Sequence, residues 1–202
     1  MRFLLSLVFW GICASASAAE SVEALLAQAA QGLGKTTTLE AQFLQRTTFA
    51  FMDIALESSG KLCFSLQNRR QPMIFWEYRA PDVSGFRYAG GEAELWLGTS
   101  AHQASSAEKQ MLTGMTEQIL QWVSFDTAQL KSRYQILPGS SDHSLKFVPA
   151  QESQLFASIE LTFSDDYERI AELCFTGKND DVTRIIFNVQ SINTALSDDC
   201  KQ

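Results

Sequence analysis

From Leu39 onward, apolar side chains recur at every second position, and in several runs the positions between them are apolar too. Leu39, Ala41 and Phe43 alternate with Glu40 and Gln42; Leu62, Phe64 and Leu66 alternate with Lys61, Cys63 and Ser65. Met73 and Phe75 stand opposite Ile74 and Trp76, Phe49 and Phe51 opposite Ala50 and Met52, and Ile185, Phe187 and Val189 have Ile186 behind them. A period of two belongs to β-strands. An antiparallel sheet usually keeps one face in water, so strands apolar on both faces need covering helices or an enclosed apolar interior.

The punctuation between these runs predicts an antiparallel meander. Ala50, Met52, Ile54 and Leu56 alternate in the opposite phase to Leu39–Phe43, which implies a bulge or bend between Leu44 and Thr48. Ser58-Ser59-Gly60, Pro81-Asp82 and Gly90-Gly91 read as turns, separating strands at Lys61–Leu66, Met73–Arg79, Phe86–Tyr88 and Ala93–Leu97. Strand signals return at Leu145–Phe147, Leu155–Phe163, Ile170–Thr176 and Thr183–Val189, with a turn at Asp165-Asp166 and a polar loop at Gly177–Asp181.

Two stretches carry the helical period instead. Ser21 is a suitable N-cap for a stripe of Val22, Leu25, Leu26, Ala29 and Leu33 that ends at Gly32 and Gly34. In the segment Ala101–Lys131, Met111, Met115, Ile119, Trp122 and Val123 fall near one stripe, weakened at Gly114. With no linker or repeat between these elements, residues 19–202 read as one domain.

Before them stands a leader. Arg2 precedes an apolar run from Phe3 to Ala14, and Ala16-Ser17-Ala18 supplies an A-x-A cleavage site, the pattern of a secretory signal peptide. Cleavage after Ala18 would leave 184 residues and, without Arg2, a net charge of −8 instead of −7. The run falls short of the ~20 residues of a membrane span. Trp10-Gly11-Ile12 before Cys13 lacks the small residue that lipidation needs.

Charge and composition exclude several functions. Sixteen basic against 23 acidic residues leave no basic surface for nucleic acid. Two histidines, His102 and His143, give little room for metal sites or triads, and neither a metal nor a cofactor is expected. Cys63, Cys174 and Cys200 match no zinc spacing; one pair could bridge in an oxidising compartment, and the sequence does not choose which. Gly32-Leu33-Gly34-Lys35-Thr36 resembles a phosphate loop, but Ala29 stands where its first glycine belongs. Glu92 and Glu94 share a strand face and read as solvated. Arg69-Arg70 lies between two apolar strands, where a guanidinium at the rim of the sheet could bond free carbonyls of a covering helix.

Taken in order, these pieces resemble the LolA-type periplasmic lipoprotein carriers. The resemblance runs through the N-terminal helix, Leu39-Glu40-Ala41-Gln42-Phe43-Leu44-Gln45, Ser59-Gly60-Lys61-Leu62, Trp76-Glu77-Tyr78 with Pro81, and Gly90-Gly91 with Leu95-Trp96. It continues at Phe147 with Pro149, at Ile159, Leu161 and Phe163, at Thr183, Ile185 and Phe187, and at Asn193. It implies an α+β, mostly β fold: a strongly curved antiparallel sheet forming an open half barrel, with helices covering its concave side. It also implies a non-enzymatic, monomeric carrier in the periplasm of a Gram-negative bacterium. Such a carrier takes acylated lipoproteins from an inner-membrane release complex to an outer-membrane acceptor protein. Arg70 matches the arginine that locks the lid in that family, although the family's Arg-Pro pair stands here as Arg70-Gln71-Pro72. Met52, Phe64, Ile74 and Trp76 from the sheet, with Met111, Met115 and Ile119 from the middle helix, are the candidate cavity lining. The alternatives are a carrier of another lipid or polyene-like hydrophobe, a secreted acyl hydrolase using His102 or His143 as base, and an inert envelope interaction module.

Overall fold

The computed structural model describes residues 13–52, 54–67, 72–98, 100–102, 105, 119, 121–122, 124–151 and 156–200, with side chains from Ser21 onward except at 100–102. The first element, α1 (Cys13–Leu33), starts earlier than the Ser21 cap predicts. Ala14 to Ala19 is an alanine-serine stretch, and alanine is the strongest helix former, so nothing local stops the helix from extending back into it.

The strands follow as β1 (Thr38–Thr48), β2 (Ala55–Ser65), β3 (Met73–Ala80), β4 (Ser84–Ala89), β5 (Glu92–Leu97) and β6 (Ser100–His102). After the short helix α2 (Thr127–Arg133) come β7 (Tyr134–Pro138), β8 (Ser144–Pro149), β9 (Ser158–Phe163), β10 (Ile170–Thr176) and β11 (Val182–Ile192). All eleven form one sheet in the order β6-β5-β4-β3-β2-β1-β11-β10-β9-β8-β7, each pair antiparallel. β1 and β11 join the two meanders, which brings the two halves of the chain together at the centre of the sheet.

This architecture corrects the expected half barrel. The sheet is neither strongly curved nor closed: β6 and β7 end the order on opposite sides, and no ladder among the described residues joins them. Bending a sheet takes bulges or glycine kinks. The described ladders have register shifts at Glu40/Ala41, Ser59/Gly60 and Ile170/Glu172, and the others run in unbroken register.

A predicted bulge or bend and a predicted turn are also absent where they were expected. β1 runs unbroken through Leu44–Thr48, and the phase reversal arises because the chain leaves the sheet at 49–54 before β2 begins. Ser58-Ser59-Gly60 is not a turn but the middle of β2, with Gly60 opposite Phe43 and Tyr78. The glycine is there for space: a Cβ would sit 1.9 Å from the Glu77 carbonyl oxygen and 2.6 Å from the Phe43 ring. The Gly90-Gly91 turn forms as predicted, both residues having positive φ.

The side chains sort into two faces. On one, Leu39, Ala41, Phe43, Leu62, Phe64, Ile74, Phe86 and Ile185 make one buried cluster. Leu26, Ala29 and Leu33 of α1, with Trp122, Phe125 and Leu130, pack on Leu145, Phe147, Ile159, Leu161 and Phe163 in another. Leu173 and Phe175 touch both clusters. The opposite face explains why β3 is apolar on both sides: Cys63, Phe75, Leu196 and Cys200 form a third cluster, flanked by Met73 and Trp96.

That third cluster lies under the C-terminal tail, which is strapped to β1 and β2. Asn193 Oδ1 accepts from the Thr37 amide at 2.7 Å, and Thr38 Oγ1 donates to the Thr194 carbonyl at 2.8 Å. Lys61, only 8% exposed at its side chain, pairs with Glu40 at 2.7 Å and donates to Ser197 Oγ at 3.1 Å. The strap ends in a disulfide between Cys63 and Cys200, which settles the pairing left open above; Cys174 is a free thiol.

Candidate functional site: an apolar cavity on one face of the sheet

Alternation places the odd-numbered residues of β1, β10 and β11 and the even-numbered residues of β2, β3 and β4 on the same face. Their large apolar side chains do not close on one another completely. They leave a cavity of about 340 Å3 lined by Leu39, Leu62, Phe64, Trp76, Phe86, Leu173, Phe175, Ile185 and Phe187 from the sheet. Leu33 of α1 and the helical residues Ile119 and Trp122 bound it from above. The volume lies within the ~300–1,000 Å3 range of small-molecule sites.

Aromatic contacts set the shape of the wall. Trp76 packs at 4.8 Å between ring centroids from Phe43 and meets Phe187 edge-on at 6.4 Å. Trp122 packs against Tyr134 and Phe147 at 5.1 and 4.9 Å, and its indole Nε1 is buried without a hydrogen-bond partner among the described residues.

The polar lining sits toward the two ends of the strands and is largely spent on internal bonds. Toward one end, Thr36 Oγ1 donates to the Glu168 carbonyl at 2.9 Å. Glu168 pairs with Lys35 at 3.5 Å, and Arg169 with Asp166 at 3.3 Å. Toward the other, Tyr78 OH donates to Gln45 Oε1 at 2.9 Å, and burial pushes the Tyr78 phenol up from its ordinary pKa. The Thr183 hydroxyl bonds that of Thr47 at 3.0 Å. The middle is hydrocarbon and ring, suited to partitioning and not to bond-breaking. Among the described residues no group of three or more His, Cys, Asp or Glu is placed to hold a metal.

The candidate residues divide accordingly. Phe64, Trp76 and Ile119 line the cavity. Ile74 is fully buried on the same face, in the core beside it. Met52 lies in the 49–54 segment, 39% exposed, and is not part of the lining. Arg70, Met111 and Met115 lie outside the described residues. His143 stacks on Tyr167 at 5.3 Å and does not reach the cavity. Sequence reasoning passed over Leu39, Leu62, Phe86, Phe175, Ile185 and Phe187. Leu62 shares strand parity with Phe64, and Leu39 and Phe86 stand opposite Phe64 and Trp76 in the ladders, whereas Phe175, Ile185 and Phe187 join the lining from β10 and β11.

Comparison with known proteins places this architecture. No curated protein matches the sequence. Among solved structures, a chain of the Pseudomonas aeruginosa MucA/MucB complex is similar at 14% identity and a TM-score of 0.55, over 91% of this chain and 60% of that one. A crystal structure of MucB is similar at 14% identity and a TM-score of 0.53, over 94% and 63%. The chain therefore spans less than two thirds of the length of these neighbours, and at such identity the likeness is one of fold. Sequence speaks more specifically: the pattern of the family described as "Outer membrane lipoprotein carrier protein LolA" matches residues 34–200, which takes in every strand, the cavity lining except Leu33, and the disulfide strap. The chain belongs to the LolA family of outer-membrane lipoprotein carrier proteins.

Proposed function

We propose that the protein is a periplasmic carrier that holds the acyl chains of a lipoprotein in the cavity between Trp76, Phe187 and Ile119. In this role it ferries its cargo across the aqueous space to an outer-membrane acceptor. The observation that carries this reading is the lining itself: rings and branched hydrocarbons surround a cavity of about 340 Å3, with polar groups confined to its ends. Family membership supports the general role, a non-catalytic carrier of hydrophobic cargo. The leader at Met1–Ala18 and a buried disulfide fit an exported protein in an oxidising compartment.

The energetics fit a carrier. Each buried CH2 is worth about 0.8 kcal/mol, so a long acyl chain leaves water with a driving force of order 10 kcal/mol. Binding needs no catalytic group; release needs the cavity to open, and Leu33 of α1 with the helical residues Ile119 and Trp122 supplies wall outside the sheet ladders. Native mass spectrometry of protein isolated from periplasm tests the reading. Bound lipidated protein or lipid is expected; protein that emerges empty and fails to bind acyl probes contradicts it.

A further inference from the structure

The ladders give the cavity a length. Leu39 and Gln45 of β1 both line it, and Phe64, Phe187 and Ile185 stand level with Leu39, Phe43 and Gln45 on the neighbouring strands. At ~3.4 Å per residue, the path along β1 from Leu39 to Gln45 spans ~20 Å. The volume is about 340 Å3. An apolar cavity of ~150 Å3 holds one benzene, and a methylene fills about the ~30 Å3 that a water molecule takes in the liquid, so either measure gives room for about a dozen carbons. An extended hydrocarbon advances ~1.3 Å per carbon along its zigzag of ~1.5 Å bonds, so two such chains side by side over ~20 Å would need ~900 Å3. One chain fits, and two do not.

The walls oppose widening. On the sheet side Leu39, Leu62, Phe64, Phe86 and Ile185 are buried within consecutive ladders from β4 through β1 to β11. Above, Leu33 and Trp122 belong to the separate buried cluster around Phe147, and Trp122 lies 4.9 Å from the Phe147 ring. Seating a second chain requires the loaded protein to hold that cluster apart. We propose that the cavity seats a single acyl chain of about a dozen carbons, lying along the strands. The inference rests on the carrier reading and narrows it: a cargo with several acyl chains lodges one of them here and leaves the others outside.

Fluorescence displacement titrations of the full protein, with a soluble peptide bearing one saturated acyl chain of about 8 to 18 carbons, test this. Each added CH2 should tighten binding about fourfold until the cavity is full, and the gain should stop at about 12 to 14 carbons. Native mass spectrometry with the longest peptide of the rising series should count one chain per protein. The same peptide bearing three such chains should bind at most about threefold more tightly, the statistical advantage of three chains competing for one seat. Ile119→Trp takes space from the cavity and should move the plateau to chains about two carbons shorter. Phe187→Ala, at a half-buried position, adds space and should move it to chains about three carbons longer. Far-UV circular dichroism checks that both variants fold, and the wild-type series and chain count decide the matter without them. Affinity still rising fourfold per carbon at the long end of the series overturns the proposal. So do two chains per protein, a gain of tenfold or more from the three-chain peptide, or a plateau that neither folded variant moves. Binding of no chain at any length overturns the carrier reading itself, which separates the two failures.

Discussion

Individual residues decide whether the cavity wall holds. Ile119 is half-buried on a helical segment and faces the cavity without belonging to a strand ladder. Ile119→Glu should therefore cut acyl-probe affinity at least tenfold, by placing a carboxylate where hydrocarbon must sit, while thermal melting moves only a few degrees. Probe titration beside a melting curve checks both halves of that statement. Gly60 is the contrasting case, a residue without which β2 and β3 cannot approach. Gly60→Ala should destabilise by about 1–3 kcal/mol through overpacking, read as a lower denaturant midpoint. Glu40 carries a pH dependence. Burial alone would raise its pKa, but hydrogen bonds from Lys61 and from the Ser197 amide and hydroxyl outweigh it and hold the carboxyl below its ordinary value. A lowered folded-state pKa gives stability that is present above the unfolded value near 4.5 and is lost as pH falls through the folded one. Glu40→Gln should lower stability at neutral pH and flatten the acid limb of a stability profile.

At the level of elements, the period-two pattern was sufficient for most strands because alternation reports burial directly. It failed where burial was not the deciding force. Ser58-Ser59-Gly60 has turn chemistry, yet pairing with β1 and β3 on both sides recruits it into β2. Strand β6 is three residues long and β7 five, too short for a period to register, and Tyr134–Pro138 is recognisable only through its ladder with β8. The double-sided apolarity of β3 was legible, but its cause was not, since the roof over Phe75 comes from residues more than a hundred positions away. The tail that forms this roof is an element without secondary structure over most of its length, held by the bond from Cys63 to Cys200 across 137 positions. In the chain-entropy account, closing so long a loop is worth about 5 kcal/mol. Cys200→Ser should lower the unfolding free energy by several kcal/mol, and reduction of the wild type should reproduce most of that loss in a denaturant titration.

For the whole molecule, the sequence carried the family and missed the shape. The ordered short motifs from Leu39 to Asn193 pointed to the LolA family, and the match over residues 34–200 agrees. Sheet curvature is set by bulge placement, which side-chain alternation does not encode, so the half barrel drawn from resemblance gave way to an open eleven-stranded sheet. The same parity that fixed β2 would have extended the lining from Phe64 to Leu62, but not to Ile185 and Phe187, which stand across β1 on β11. What remained out of reach was where helices leave space above them, because that depends on packing between distant segments. The central claim is that hydrocarbon cargo sits on this face and not on the other, and three tryptophans are placed to report it. Trp76 and Trp122 line the cavity, whereas Trp96 packs against Phe75 on the opposite face under the C-terminal strap. Titrating the protein with a brominated long-chain acyl lipid should quench its tryptophan emission. The quench should shrink in Trp76→Phe and Trp122→Phe and persist undiminished in Trp96→Phe; no quench, or one that disappears only with Trp96, would contradict the account.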